Sequence, residues 1–477
     1  MTAKERLAIP PQPMPEHPPA ERVHNMDEVA LGYTLETARR EASRCLNCPN
    51  RPCVAGCPVR VRIPEFLAAV AAGEIDRALE IIRENSLLPA VCGRVCPQEK
   101  QCQRNCTVGR MLGDIGKAVA IGRVERFVAD HASGVAVAPA PRVGRRRIAV
   151  VGSGPASITC AADCARAGHA VVVFEAFHRE GGVLVYGIPE FRLPKRIVER
   201  EIRNLRAMGV KTVSDFVVGR TLPLSELRRR FDAVFLGVGA GLPRFMDIPG
   251  EDLIGVFSAN EYLTRANLMK AYREEEAVTP FWHGRQVAVL GGGNVAMDAA
   301  RMALRLGAES VQVIYRRSEQ EMPARDEEVR HAREEGVTFL TLANATRILG
   351  DDEGCVTALE CLRYELGEPD ASGRRRPVAI PGSAFTVPAD TVIVAVGSGT
   401  SPLLPATEPG LRLDAKGHVI VDPETMMTSL SGVFAGGDIE SGAATVILAM
   451  GDGRKAADGI CRYLAARTDC IGKGVLL

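Results

Sequence analysis

Ile148-Ala-Val-Val-Gly-Ser-Gly-Pro-Ala-Ser157 is the stretch that decides the fold, because it combines a buried strand, a glycine turn and the start of a helix. The next strand ends at Glu175, and an acid about 20 positions on is typical of a dinucleotide-binding βαβ unit. Gly152 makes the turn, and Gly154 lets the backbone approach a pyrophosphate that the helix N-terminus stabilises. Ser157 stands where Gly or Ala is usual, which loosens helix packing without removing a phosphate contact. The stretch therefore predicts an α/β domain.

A second copy of this pattern begins at Gln286 and reads Val-Ala-Val-Leu-Gly-Gly-Gly-Asn-Val-Ala296. Gly291 and Gly293 are its fingerprint glycines. Its next strand ends in Arg316 and Arg317 instead of an acid, and arginines at that position suit a 2′-phosphate. The alternative is a pair of surface arginines on an ordinary domain, but their place at the carboxyl end of a strand favours NADP(H) over NAD(H).

Two such motifs about 140 residues apart predict two bound dinucleotides, of which only one needs to be a soluble nucleotide. We expect the other to be FAD. The stretch 431–438 ends in Gly-Gly-Asp and precedes a predicted long helix over 443–466. Asp438 could then contact the ribityl chain while the helix N-terminus faces the flavin ring.

Cysteines are concentrated upstream, in the spacings CxxCx4CxxxCP and CxxxCPx4CxxxC; they are Cys45, Cys48, Cys53, Cys57, Cys92, Cys96, Cys102 and Cys106. Such spacing is typical of iron–sulfur ligands, and a Cys before Pro often ligates the other cluster, so we expect Cys57 to belong with the second group. A disulfide knot or a zinc module is the alternative. No signal for export and no His within either group support iron and sulfide.

Composition excludes several other classes of protein. The chain has 477 residues, 46% hydrophobic residues, 47 glycines and a net charge of +1. Two or three domains are expected, and the charge gives no reason to predict binding to nucleic acid or to a membrane surface. No run approaches the roughly 18 apolar residues of a membrane span. The sequence predicts a soluble cytoplasmic protein.

Local patterns predict the remaining elements. The proline-rich residues 1–24 should form an extended arm lying on a neighbour, followed by a helix over 26–44. Two short helices broken at Gly73 are expected over 64–85, another helix over about 115–130, and an interdomain linker over 132–147.

The whole chain resembles the family of the glutamate synthase small subunit, which includes the large subunit of NADH-dependent ferredoxin:NADP oxidoreductase and the N-terminal part of dihydropyrimidine dehydrogenase. The motifs that carry the resemblance are CLNCPNRPCVAGCP, CGRVCPQEKQC, YGIPEFRLPK, GGGNVAMD, YRRSEQEMPA and AGGDIESGAATVILAMGDGRKAA. The third and last motifs are closest in wording to the ferredoxin:NADP oxidoreductase large subunit.

This resemblance implies an α/β protein with an N-terminal α-helical iron–sulfur domain and two Rossmann-like domains, the nicotinamide domain being inserted in the FAD domain. We expect residues 1–143 to hold two [4Fe–4S] clusters, 144–281 with 389–477 to bind FAD, and 282–388 to bind NADP(H). The predicted FAD ligands are Gly152, Gly154, Pro155, Glu175, Gly182, Arg192, Gly437, Asp438 and Thr445. Those predicted for NADP(H) are Gly291, Gly293, Asn294, Val295, Arg316 and Arg317.

For the clusters, spacing alone makes all eight cysteines ligands. The likeness to dihydropyrimidine dehydrogenase implies instead that a side-chain oxygen is one ligand, at the position of Glu125, and that Cys92 is a buried free thiol. The outer cluster would then be held by Cys45, Cys48, Cys53 and Cys106, and the one nearer FAD by Cys57, Cys96, Cys102 and Glu125.

Function follows from these predicted cofactors. Hydride exchange between NADP(H) and FAD, with single electrons passing through the clusters, requires no catalytic side chain. The predicted partner is a small flavin and iron–sulfur subunit, as in ferredoxin:NADP oxidoreductases including bifurcating ones, with ferredoxin as a further partner. The alternative partner is a glutamate synthase large subunit. A structural paralogue without working centres is the third hypothesis, which the intact glycines and cysteines disfavour.

Overall fold

The computed structural model describes residues 1–133, 146–273, 275, 277, 281–370 and 373–467. Most of the predicted linker over 132–147 lies outside this described part. Among the described helices, none has both the length and the apolar character that crossing a membrane requires.

Residues 1–133 form helices and contain no β-strand. These are α1 Ala3–Ala8, α2 Pro19–Arg22, α3 Leu35–Ala42, α4 Pro52–Ala55, α5 Ile63–Ala72, α6 Ile75–Arg83, α7 Pro89–Val95, α8 Thr107–Met111 and α9 Ile121–His131.

Two predictions for this helical part need correction. The helix expected over 26–44 begins only at Leu35, because His17 and Leu31 donate backbone hydrogen bonds that pair residues 15–17 with 29–31 in extended form. Thr34 caps α3 by accepting a hydrogen bond from the N–H of Thr37. The helix expected from about 115 is a 3₁₀ turn, Ile115–Lys117, followed by α9. The pair of helices separated at Gly73 is present as α5 and α6.

The segment 147–267 contains the first part of one α/β unit and, near its end, a strand of a second unit. Its elements are β1 Arg147–Val151, α10 Pro155–Arg166, β2 Ala170–Phe174, α11 Val183–Tyr186, α12 Lys195–Ala207, β3 Lys211–Val213, α13 Leu224–Arg230, β4 Ala233–Leu236, β5 Leu242–Pro243, β6 Val256–Ser258 and α14 Ala259–Asn267.

The rest of the chain contains the second unit and then returns to the first. Its elements are β7 Gln286–Leu290, α15 Asn294–Arg305, β8 Ser310–Tyr315, α16 Asp326–Glu334, β9 Thr338–Thr341, β10 Ala343–Gly350, β11 Val356–Pro369, β12 Arg375–Ala379, β13 Phe385–Pro388, β14 Thr391–Val394, β15 Ser398–Gly399, α17 Leu403–Thr407, β16 Val433–Ala435, α18 Asp438–Ser441 and α19 Val446–Ala466.

Two parallel sheets organise these elements. The first has the order β16-β4-β1-β2-β3, so a strand near the C-terminal end completes the sheet that β1 begins. The second has the order β6-β14-β7-β8-β9, and β10 to β13 form an antiparallel sheet beside it. The second α/β unit is thus inserted in the first, as expected.

The sheets do not follow the predicted boundaries at residues 281/282 and 388/389. Strands β6 and β14 were expected in the FAD domain, yet β14 pairs with both β6 and β7 in the second sheet. The second sheet therefore takes strands from both sides of the predicted insertion. The reason is that β14 is buried along its whole length and needs a neighbour on each side.

Candidate functional site

The turn after β1 leaves open space at the start of α10. Gly152 has a φ of +92°, and a Cβ there would lie 2.5 Å from the carbonyl oxygen of Gly237. At Gly154 an added Cβ would meet no atom within 4 Å, and Pro155 starts the helix. A Cβ on Gly182 would lie 2.9 Å from the Cα of Gly154. This glycine cradle fits the close approach of a pyrophosphate to a helix N-terminus.

The acid at the end of β2 is held in place by its neighbours. Ser153 donates a hydrogen bond to the carboxylate of Glu175, and the N–H of Phe177 donates another at 2.8 Å. Burial raises the pKa of Glu175 above its ordinary value. The carboxylate is therefore fixed beside the glycine turn, at the position where a ribose hydroxyl would bind.

The Gly-Gly-Asp turn returns to the same place. Gly437 has a φ of +78°, and a Cβ there would lie 3.0 Å from that of Ala156 on α10. Burial raises the pKa of Asp438 to about 6. The long helix begins later than predicted, at Val446, because Thr445 caps it by accepting from the N–H of Leu448. Two helix N-termini thus face one cradle.

Arg192, which was predicted as an FAD ligand, contacts the second unit, and its role as a ligand stays a prediction. Its Nη1 donates to both carboxylate oxygens of Asp298 at 2.7 Å, and its Nε lies 2.8 Å from a carboxylate oxygen of Glu328. Both acids lie on helices of the second unit. A guanidinium held by two buried carboxylates thus joins the two units.

The second glycine turn has the same open geometry. A Cβ on Gly291 would lie 2.4 Å from the carbonyl oxygen of Ala395, whereas at Gly293 the nearest atom would be 3.9 Å away, on Pro323. Asn294 begins α15 and accepts a hydrogen bond from the N–H of Arg325 at 2.9 Å. Val295 is 43% exposed next to it. These four residues lie together at the second turn, and their contact with NADP(H) stays a prediction.

The two arginines after β8 differ from each other. Arg317 is buried, donating through Nη2 to Asp370 at 2.8 Å and through Nε to the carbonyl oxygen of Arg375 at 2.7 Å. Arg316 is exposed and has no ion pair within the part of the chain that the structure describes. Of these two arginines, Arg316 is therefore the one whose guanidinium has no ion pair in the described part of the chain, and its contact with a 2′-phosphate stays a prediction.

Four cysteines line one small cavity of about 20 Å³; they are Cys45, Cys48, Cys53 and Cys106, and we call them the outer group. The cavity is otherwise lined by apolar side chains such as Ile63 and Leu67. Burial and the neighbouring thiols of Cys45 and Cys106 raise the pKa of Cys53 to about 12. Metal ions would be needed to deprotonate such thiols at neutral pH.

A second set lies deeper and comprises Cys57, Cys96, Cys102 and Glu125, which we call the inner group. Burial and the carboxylate of Glu125 raise the pKa of Cys57 to about 11. Burial, then Cys57 and Glu125, raise the pKa of Cys102 as well. Glu125 itself has no hydrogen bond or ion pair with a described residue, and burial raises its pKa to about 8. A carboxylate that lies among thiols and has no cationic partner has the surroundings expected of a metal ligand.

Cys92 lies at the edge of the inner group. Its Sγ is 3.6 Å from the Sδ of Met450 on α19 and 3.9 Å from the Oγ of Ser86. Its contact with Cys96 is the main cause that raises the pKa of that thiol. The sulfur of Cys92 thus contacts both the FAD unit and the inner group.

The alternatives to iron and sulfide do not match this geometry. All eight cysteines are free, which excludes the disulfide knot. In the described part of the chain, no three of their sulfurs lie within 4.8 Å of one another. Four thiolates around one zinc ion would lie about 3.8 Å apart, given Zn–S bonds of about 2.3 Å. The wider spacing fits a cluster.

Family comparisons agree with these sites. Residues 22–136 match dihydropyrimidine dehydrogenase domain II with its 4Fe-4S cluster, and residues 146–453 match the pyridine nucleotide-disulphide oxidoreductases. The glutamate synthase (NADPH) small chain of Halomonas elongata is 39% identical over 94% of this chain and 96% of its own length. The chain belongs to the glutamate synthase small-chain family. Like its family, it is an NADPH-dependent oxidoreductase that binds FAD, NADP(H) and 4Fe–4S clusters.

Two further comparisons bear on this small-chain family. Subunit beta of the NADP(+)-dependent formate dehydrogenase of Moorella thermoacetica is 38% identical over 87% of this chain and 60% of its own length. The fold of the two α/β units resembles FprA of Mycobacterium tuberculosis, with a TM-score of 0.58, 23% identity and coverage of 68% of this chain and 85% of that chain.

Sequence reasoning missed three residues that organise the sites of this family member. Ser153 fixes Glu175, while Lys100 and Arg325 connect the helical part to the second glycine turn. Ser153 lies inside the fingerprint and could have been found there. Lys100 is 223 residues from its partner, and no local pattern indicates that contact.

Proposed function

We propose that this chain is the NADPH-oxidising subunit of a glutamate synthase-type assembly and delivers electrons to a large partner subunit. The observation that carries the proposal is the order of the sites. The inner group contacts α19 through Cys92 and Met450, whereas three of the four outer-group cysteines are partly exposed. This order leads from the FAD unit towards the protein surface.

The residues that would hold each group have separate tasks. Gly154 and Gly182 would admit the FAD pyrophosphate, Glu175 would accept from a ribose hydroxyl, and the start of α19 would face the ring. Gly293 and Arg316 would hold the phosphates of NADPH. When bound, FAD supplies the exchange between a two-electron hydride donor and one-electron carriers. The protein contributes orientation and electrostatics, and no side chain is needed as a general base.

Likeness to the Halomonas elongata protein over nearly its whole length supports the glutamate synthase partner. Thirteen free thiols in the described part of the chain, including the eight of the two cysteine groups, support a reducing compartment, which is the cytoplasm. The second candidate is a subunit of a ferredoxin:NADP oxidoreductase. It is favoured by the wording of the motifs 186–195 and 435–457, and relatives such as the formate dehydrogenase subunit carry names that imply other partners.

Purification of the native assembly through a tag on this chain tests the proposal. We expect iron, a flavin spectrum and co-purification of a large amidotransferase subunit. A small flavoprotein with a [2Fe–2S] centre in its place would support the second candidate. Recovery of the chain without any partner would contradict both.

A further inference from the structure

A short loop, Met322–Arg325, covers the second glycine turn. The N–H of Ala324 donates to the carbonyl oxygen of Gly292 at 3.3 Å, and the N–H of Arg325 donates to Asn294 at 2.9 Å. The atom nearest to a Cβ built on Gly293 belongs to the side chain of Pro323. We call this segment the covering loop. Its position determines the space available to the nucleotide phosphates.

The helical iron–sulfur part holds the covering loop directly. Lys100 donates to the carbonyl oxygens of Pro323 and Ala324 at 3.0 and 2.9 Å. The side chain of Arg325, which is 5% exposed, donates to the carbonyl oxygen of Arg94 at 3.0 Å and to Oε1 of Gln98 at 3.2 Å. The loop over the nucleotide turn is therefore positioned by the segment 94–100.

Gln98 connects this segment to the inner group. Its N–H donates to the carbonyl oxygen of Cys96 at 2.9 Å, and its Nε2 donates to that of Cys92 at 3.3 Å. It is packed tightly, since a Cβ on Gly122 would lie 2.1 Å from the same Nε2. A continuous set of hydrogen bonds thus joins Asn294 at the nucleotide turn to the backbone of the inner group.

We propose that nucleotide binding at the second glycine turn and the redox state of the inner group are thermodynamically coupled through Arg325 and Gln98, with Lys100 fixing the covering loop. An added electron and the nucleotide phosphates both bring negative charge towards the Arg325 guanidinium. Glu327 at 3.0 Å and Glu99 at 3.5 Å already balance part of its charge. Each event therefore disfavours the other, and by linkage the effect is reciprocal.

The coupling has a direct consequence for turnover. The nucleotide binds most tightly to the oxidised protein and is released more readily once the inner group has been reduced. This inference concerns the family's shared cofactors and does not depend on which partner subunit receives the electrons. Arg325 and Gln98 are positioning residues in this scheme, since neither is a ligand of the cluster.

Binding of adenosine 2′,5′-bisphosphate to the holoenzyme tests the coupling, because this probe carries the 2′-phosphate but has no nicotinamide and exchanges no hydride. We expect about fivefold tighter binding to the oxidised than to the dithionite-reduced protein. By the same linkage, saturating probe should lower the midpoint potential of the inner-group EPR signal by about 40 mV, at 59 mV per tenfold for one electron.

Substitutions separate the proposed route from a general charge effect. In Arg325→Gln we expect the affinity ratio to fall to about one while binding of the probe persists. Arg333→Gln is the matched control, because Arg333 lies on α16, the helix that Arg325 precedes, and pairs with Glu319 at 2.7 Å and not with the helical part. Its ratio should remain about five.

Two results would overturn the inference: an affinity ratio of one in the unmodified protein, or an unchanged ratio in Arg325→Gln, which would assign the effect to the flavin. If Arg325→Gln fails to retain iron, Lys100→Met decides, since Lys100 is exposed and its loss should leave the cluster loaded. A ratio that stays at five in Lys100→Met would then contradict the proposal.

Discussion

At the scale of single residues, Arg316 and Arg317 show how far sequence reasoning reaches. The sequence correctly places both after the second strand of the nicotinamide unit. It cannot show that Arg317 is buried against Asp370, because that partner is 53 residues away, directly after β11 of the separate antiparallel sheet. Burial and pairing depend on tertiary structure. They make Arg317 a positioning residue and leave the adjacent Arg316 as an exposed cation.

We predict that Arg316→Ala raises the KM for NADPH about tenfold and leaves the KM for NADH unchanged. A charge-assisted hydrogen bond to phosphate contributes about 1.5–3 kcal/mol, and 1.4 kcal/mol corresponds to tenfold in affinity. Steady-state kinetics with both nucleotides measures the effect. Arg317→Ala should instead lower thermal stability with little change in nucleotide preference. Equal effects on NADPH and NADH in Arg316→Ala would contradict the assignment.

The eighth cluster ligand is also decided by single residues. We predict that Glu125→Ala loses or perturbs the inner-group cluster, because three cysteines would remain and a harder oxygen donor would be removed. Cys92→Ser should retain both clusters, since the Cys92 sulfur contacts Met450. Iron content and EPR of the reduced protein measure both variants. Loss of a cluster in Cys92→Ser together with normal clusters in Glu125→Ala would reverse the ligand assignment.

At the scale of elements, the N-terminal arm was predicted as an extended segment lying on a neighbour. In the structure, residues 15–17 are extended, but the arm also contains α1 and α2 and ends against the nicotinamide unit of its own chain. Arg22 at the end of α2 pairs with Glu335 at 2.9 Å. Proline content predicts the lack of independent packing but contains no information about this partner 313 residues away.

Glu335 is the centre of a buried charge network. It pairs with Arg22, with Arg301 at 2.8 Å and with Arg305 at 2.6 Å. Burial acts to raise the pKa of Glu335, but its pairs with Arg301 and Arg305 hold that pKa well below the ordinary range. Arg305 also lies over the ring of Phe191 at 3.9 Å. The network joins the arm, α15 and the loop before α12.

We predict that Glu335→Gln destabilises the protein by about 3–5 kcal/mol, because three buried guanidinium groups would lose their shared carboxylate. Glu319→Gln is the control, since its pair with Arg333 is about half exposed and should contribute less than about 1 kcal/mol. Denaturant unfolding of the two variants under identical cofactor loading gives the difference. A similar loss of unfolding free energy in both variants would show that the buried network contributes no more to stability than an exposed ion pair.

At the scale of the whole molecule, the insertion of one α/β unit in the other could be predicted, because the Gly-Gly-Asp turn must return to the first sheet. The boundaries could not be predicted. Strands β6 and β14 are short, apolar and compatible with either sheet, and pairing across the insertion decides their place. Likewise, spacing predicts the cysteine groups but not the contact of Cys92 with α19.

This organisation predicts that the cofactor sites can be emptied separately. Gly154→Val should give protein that lacks FAD but retains iron, because a larger side chain fills the pyrophosphate space while the cysteines belong to another part of the chain. Gly293→Val should retain FAD and iron but lose NADPH binding. Absorption spectra report on bound FAD and on NADPH binding, and iron assays report on the clusters. A normal flavin spectrum in Gly154→Val would contradict the assignment of the first turn to FAD.

The contacts of Arg192 also affect how quickly substrate is captured. Because its guanidinium holds Asp298 and Glu328 on the opposite unit, the gap between the two sheets is set before any nucleotide arrives. We predict that no closing motion has to precede productive binding when the two units are joined in this way, so the observed association rate should rise linearly with nucleotide concentration and show no plateau. Encounter, and not reshaping of the protein, then limits the capture of NADPH.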